Sequence, residues 1–68
     1  MTIRVRREPV EQTIQRLETY VRRMEHRYEV TSEDVLQDVR EGRMKETAEI
    51  ARWLIGYRML VSLRELTS

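Results

Sequence analysis

The stretch from Trp53 to Leu63 constrains this chain more than any other part of the sequence. Eight of its eleven residues are apolar or aromatic, and at helical spacing they point all round the helix. A helix that is apolar on every side has to be buried over most of its surface. A chain of 68 residues has little other material to bury it. We therefore expect a second copy of the chain, or another protein, to cover part of this helix.

Composition narrows the classes of protein to consider. The chain has no cysteine and one histidine, so we expect neither a disulfide nor a metal site, and no cofactor. Charged residues make up 37% of the sequence, yet the formal net charge is only +1, which is typical of a helical protein rich in ion pairs. The first residues lack the apolar core of a signal peptide. The apolar run is shorter than the ~20 residues that cross a bilayer. We expect a cytoplasmic protein with no membrane partner.

Apolar periodicity predicts an all-α fold, with residues 1–68 forming a single helical domain. The first helix is expected over residues 9–29, because proline at position 9 suits a first turn. Its apolar residues are spaced alternately by four and three, as in packed helix pairs. They are Val10, Ile14, Leu17, Val21, Met24 and Tyr28.

Two further helices follow. A short second helix is expected over residues 32–41, because Thr31 or Ser32 can act as its N-cap and Gly42 suits its end. A third helix is expected over residues 44–66, and it contains the apolar run. Within it, Gly56 either lets another backbone approach closely or is merely tolerated. Two long helices and a short one form a hairpin that we expect to dimerise as a four-helix bundle.

Residues 1–8 are expected to form an arm or a short strand, because apolar and polar residues alternate there. Such a strand is the basis of an alternative function. Paired N-terminal strands of some repressors lie in the major groove of DNA, and arginine is the side chain that most often contacts guanine. The alternative is therefore a DNA-binding transcriptional regulator that uses Arg4, Arg6 and Arg7. Nucleic acid ranks behind protein as the expected partner.

Catalysis is not expected from this chain. His26 has glutamates beside it, but an exposed surface histidine is the simpler interpretation. Asp34, Asp38 and Glu41 lie at helical spacing, and three carboxylates on one face more often face solvent than bind a cation. The sequence contains no phosphate-binding loop or other catalytic signature. A third alternative is a subunit of a composite enzyme that uses His26 and neighbouring carboxylates.

Part of the chain resembles a group of small, largely uncharacterised prokaryotic proteins found in archaea and cyanobacteria, some of which are antitoxin-like. In that group an RYGM-[ST]-SEEF segment is followed by an acidic loop with glycine and by a helix with an EW core. The resemblance covers roughly residues 27–60. The chain departs from the pattern at Glu29, where the group has glycine, and at Arg52, where the group has an acid. The residues that match are Arg27, Tyr28, Ser32, Glu33, Asp34, Gly42, Trp53 and Tyr57.

The resemblance implies a non-catalytic interaction module, the antitoxin-like member of a two-protein system. Such a chain masks a cognate toxin-like protein by laying an apolar helix on it. Anchors at i, i+4 and i+7 suit that mode of binding, and Trp53, Tyr57 and Leu60 have this spacing. The same side chains would alternatively fill the core of a homodimer. The full predicted partner-binding set is Trp53, Leu54, Tyr57, Leu60 and Val61.

Overall fold

A computed structural model describes residues 9–67 of the chain. Within them, three helices follow one another: α1 (Val10–Tyr28), α2 (Ser32–Arg40) and α3 (Ala48–Thr67). No strand occurs among these residues. The predicted all-α hairpin, with two long helices and a short helix between them, is confirmed. The predicted N-terminal arm or strand lies outside the described residues.

The two long helices pack side by side in antiparallel directions. At one end, the ring of Tyr28 from the last turn of α1 stacks on Trp53 near the start of α3. At the other end, the Arg64 guanidinium lies 3.1 Å from the Glu18 carboxylate. Residues late in α1 therefore meet residues early in α3. The short helix α2 also packs against α3, at the end where α1 and α3 are joined.

The chain leaves α1 through a left-handed residue. Pro9 takes the N-cap position, and the helix ends at Tyr28. The next residue, Glu29, has φ 54°, and the N–H of Val30 donates to the Glu25 carbonyl at 3.1 Å. Such a left-handed cap satisfies carbonyl groups that the helix end leaves open, and it usually requires glycine. Glu29 occupies it at a conformational cost.

The predicted caps of α2 are present. Thr31 is the N-cap, and its Oγ1 accepts from the backbone N–H of Asp34 at 3.2 Å. After Glu41, the chain turns at Gly42 with φ 74°, in the left-handed region that favours glycine. Arg43 pairs with the Asp38 carboxylate at 3.2 Å and also with Glu41. The loop after α2 is thus fixed by a turn and by ion pairs.

The third helix begins at Ala48, four residues later than the sequence predicted. Its true N-cap is Thr47, whose Oγ1 accepts from the N–H of Ile50 at 3.2 Å, while its carbonyl accepts from Ala51. A threonine cap competes well with helix continuation because it satisfies an otherwise open N–H group. Met44, predicted to be helical, instead lies in the loop and packs against the core.

The core is built within one chain. Helix α2 supplies the third side. Val35 of α2 is fully buried, as is Trp53 of α3. The buried cluster consists of Met24, Val35, Ile50, Trp53 and Leu54. A dimeric bundle is therefore not needed to form this core, and dimerisation remains a prediction.

Candidate interaction surface

Trp53 is the centre of the fold rather than an exposed anchor. Its side chain is 0% exposed, and its indole Nε1 donates to the Ser32 hydroxyl at 2.9 Å. The Tyr28 ring stacks on it, with 5.5 Å between ring centroids and 24° between ring planes. The hydroxyl of Tyr28 donates in turn to the Glu49 carboxylate. Three helices are therefore joined at Trp53, and the residue is not available to a partner while the chain stays folded.

The other predicted partner-binding residues fall into two groups. Leu54 and Leu60 are buried within the chain, as Trp53 is. Tyr57 and Val61 are half-buried and line an open groove of about 570 Å³. The predicted set thus lies on the inner face of α3, which its own chain covers wholly or in part. We call Trp53, Leu54, Tyr57, Leu60 and Val61 the inner face.

Carboxylates lie close to the phenol of Tyr57 in the groove. Burial is the main cause that raises the pKa of Tyr57, and the carboxylates of Glu33 and Glu25 raise it further. The phenol therefore stays protonated at neutral pH. Among the described residues, every buried side-chain N or O atom has a hydrogen-bond partner.

The surface left open is the opposite side of α3. Ile55 is 63% exposed, Met59 49% and Leu66 81%. Together with Ser62, these residues are spaced by four, three and four positions, which puts them in one line along the helix. We call Ile55, Met59, Ser62 and Leu66 the outer stripe. The sequence indicated a second apolar face, because a helix that is apolar all round has apolar residues on opposite sides. Periodicity does not tell which of these sides turns inward.

Gly56 lies between the two faces and meets α1. A Cβ built at this position would stand 3.3 Å from the Cδ2 and Cε2 atoms of Tyr20. That distance is shorter than usual contact, so the glycine lets the Tyr20 ring lie against the α3 backbone. Gly56 is thus closely packed, but what approaches it is the Tyr20 side chain of α1 and not the predicted backbone.

The residues considered for catalysis or metal binding are dispersed. His26 is exposed on α1. Asp38 and Glu41 are engaged by Arg43. Over residues 9–67, no group of three or more histidine or acidic side chains is arranged to hold a metal ion. Arg4, Arg6 and Arg7 lie outside the described residues, so the DNA-binding alternative remains a prediction.

Comparison with known proteins gives no relative from which a role can be transferred. No family model, curated protein or solved structure matches the chain. Of the three described helices, none is long and apolar enough to cross a membrane. The case for a function therefore depends on the residues and surfaces of this chain alone.

Proposed function

We propose that this protein is a non-catalytic protein–protein interaction module that binds its partner through the outer stripe of α3. The observation that carries the proposal is the exposure of Ile55 and Leu66, at 63% and 81%, on a helix whose inner face is already covered by its own chain. Isolated exposed apolar residues are ordinary on protein surfaces. Here three of them share one face at the spacing of a helix–helix contact, which is the pattern of an interface.

The proposal includes an antitoxin-like role, in which the exposed face of α3 masks the active surface of a second protein. The contacts among the residues that carry the resemblance to antitoxin-like proteins support this role. Ser32 and Trp53 are bonded to each other, and Tyr28 stacks on Trp53. Glu29, where the resembling group has glycine, has the positive φ that glycine favours. The shared motif thus supports a shared fold at the helix junction, while the outer stripe supplies the binding surface.

The location proposed for this function is the cytoplasm. A chain without cysteine gains nothing from an oxidising compartment, since it can form no disulfide. Its stability must come from its core and from association, because small domains have few other sources. Binding a partner through the outer stripe would add stability by mass action.

The proposal is tested by affinity purification from the native cell, with protein identification by mass spectrometry. The wild-type chain is compared with Ile55→Glu, which places a charge in the outer stripe. Gln15→Glu serves as the matched control, because it adds the same charge to an exposed site on α1. A second, differently tagged copy of the chain is expressed in the same cells, so that self-association is detected as well.

The expected result is that wild type and Gln15→Glu retain the same protein in stoichiometric amount, and that Ile55→Glu loses it. That protein is either the second tagged copy or a different chain. Equal retention by all three proteins would contradict the proposal, because the outer stripe would then contribute nothing to binding.

A further inference from the structure

The outer stripe is self-complementary when two copies of α3 are placed in opposite directions. Consider the arrangement in which Ile55 faces the partner's Leu66. Met59 then faces the partner's Ser62, and the two-fold axis repeats both pairs. Each large apolar side chain of the stripe meets either another one or a small residue. A two-fold interface requires this property, because the same patch has to fit itself.

The charges beside the stripe agree with the same arrangement. Arg58 and Glu65 each precede a stripe residue and lie along the same flank of it. Side chains at equivalent flanking positions of antiparallel helices face one another. Arg58 therefore faces the partner's Glu65, and the two-fold axis makes a second such pair. Opposite charges at these positions set partner choice and orientation more than they add affinity.

Other arrangements of the same stripe are less favourable. In a parallel pair, Arg52 continues the stripe at its upstream end and would face the partner's Arg52. In an antiparallel pair shifted by one heptad, Ile55 faces the partner's Met59, and Arg58 then faces the partner's Arg58. Like charges held opposite each other oppose association. In the first arrangement, Arg52 lies beyond the end of the partner's α3, which ends at Thr67.

We propose that the outer stripe binds a second copy of this chain, with the two α3 helices antiparallel and Ile55 facing the partner's Leu66. This inference rests on the proposed function, because it names the partner of the same surface: a second copy of the chain in place of a toxin-like protein. The resulting dimer places two α1–α3 pairs side by side. It is a four-helix arrangement in which the core of each chain stays intact.

Disulfide trapping tests this geometry, because the chain has no native cysteine. Two single variants, Ile55→Cys and Leu66→Cys, are made with tags of different mass, and both positions are exposed. They are oxidised separately and as a mixture. In the proposed dimer, the two copies of residue 55 are about 16 Å apart along the helix axes, at 1.5 Å for each of eleven intervening steps. Cysteines whose Cα atoms are more than about 7 Å apart do not form a disulfide.

The expected result is a disulfide between Ile55→Cys and Leu66→Cys in the mixture, and little product from either variant alone. Disulfides formed by each variant with itself would indicate parallel helices and overturn the proposal. Absence of any cross-linked product, with a monomeric mass in solution, would also overturn it. In that last case, a different chain retained by wild type and lost by Ile55→Glu would leave the proposed function standing.

A charge exchange gives a second readout of the same register. Arg58→Glu places glutamates opposite each other and is expected to weaken the dimer up to about fivefold for each pair. The double variant Arg58→Glu with Glu65→Arg restores opposite charges and is expected to recover the wild-type dissociation constant. Failure of the double variant to recover affinity would contradict the pairing of Arg58 with the partner's Glu65.

Discussion

The inner and outer faces of α3 are both apolar, but only the inner face is covered by helices of the same chain. On the inner face, Trp53 and Leu60 are buried by α1 and α2 of the same chain. On the outer stripe, Ile55 and Leu66 remain mostly exposed. The inner face serves the fold, and we propose that the outer stripe, left exposed by the same chain, serves association. Substitutions on the two faces should therefore act on different properties of the protein.

The largest expected effect is that of Trp53→Ala on the inner face. Removing a fully buried tryptophan leaves a cavity and costs about 3–5 kcal/mol. A domain of this size has about that much stability in total, so the variant should be largely unfolded. Far-UV circular dichroism during urea titration measures this. Ile55→Ala on the outer stripe is the control: at protein concentrations low enough to keep the chain monomeric, it should change the unfolding free energy by less than about 0.5 kcal/mol. Similar losses for both variants would remove the distinction between the faces.

A smaller loss is expected for Ser32→Ala. The Ser32 hydroxyl accepts the hydrogen bond of the Trp53 indole, and it is itself 1% exposed. Removing the acceptor leaves a buried N–H without a partner, which costs about 1–3 kcal/mol. Urea unfolding followed by Trp53 fluorescence gives the value. Ser32→Thr is a useful comparison, because it keeps a hydroxyl. An unchanged unfolding free energy for Ser32→Ala would show that the hydrogen bond does not hold the inner face.

Glu29→Gly should stabilise the fold without changing association. Glu29 has φ 54°, and a left-handed residue other than glycine costs roughly 1–2 kcal/mol. Relief of that cost is partly offset because glycine also loses more freedom on folding, so a gain of about 1 kcal/mol is expected. Glu29→Ala is the matched control: it also removes the carboxylate but keeps a Cβ, so it should give no comparable gain. If the two variants are equally stable, relief of the left-handed backbone conformation is not the cause of the gain in stability.

The smallest effect is a decline of stability at alkaline pH. The hydrogen bond to Glu49 is the main cause that raises the pKa of Tyr28, and burial is the main cause for Tyr57. Both phenols hold their protons more tightly in the folded chain than in the unfolded one. Their contribution to stability is therefore fully present below the ordinary tyrosine pKa of about 10, and it is lost as pH rises through the raised values.

Urea titrations between neutral and alkaline pH measure this decline. Tyr28→Phe should reduce the slope, because it removes one of the two shifted groups. A slope that is the same in wild type and Tyr28→Phe would indicate that other groups cause the loss of stability.

Much of the fold could be predicted from the sequence, because local signals were strong. The alternating spacing from Val10 to Tyr28 gave α1, and Thr31 with its following acids gave the start of α2. The predicted start of α3 was four residues too early, because the sequence before Thr47 is compatible with a helix. The helix begins after Thr47 because the side chain of that residue caps its first turn.

The sequence did not predict which face of α3 turns inward. For this reason the predicted partner-binding residues proved to lie on the inner face. A helix that is apolar all round gives no preferred face to its periodicity. The decision is made by tertiary contacts: Val35 of α2 and Tyr28 of α1 cover the side that carries Trp53. Ser32 was identified as a candidate cap and as part of the resemblance, but not as the hydrogen-bond partner of the Trp53 indole.

We propose that the inner face of α3 stabilises the fold and that the outer stripe stabilises an assembly. The solution mass from light scattering over a dilution series, with far-UV circular dichroism of the same samples, separates these two roles. Wild type and Ile55→Glu are compared. We predict a concentration-dependent rise to twice the monomer mass for wild type, a constant monomer mass for Ile55→Glu, and equal helicity for both. Equal masses at every concentration, or loss of helicity in Ile55→Glu, would contradict the claim.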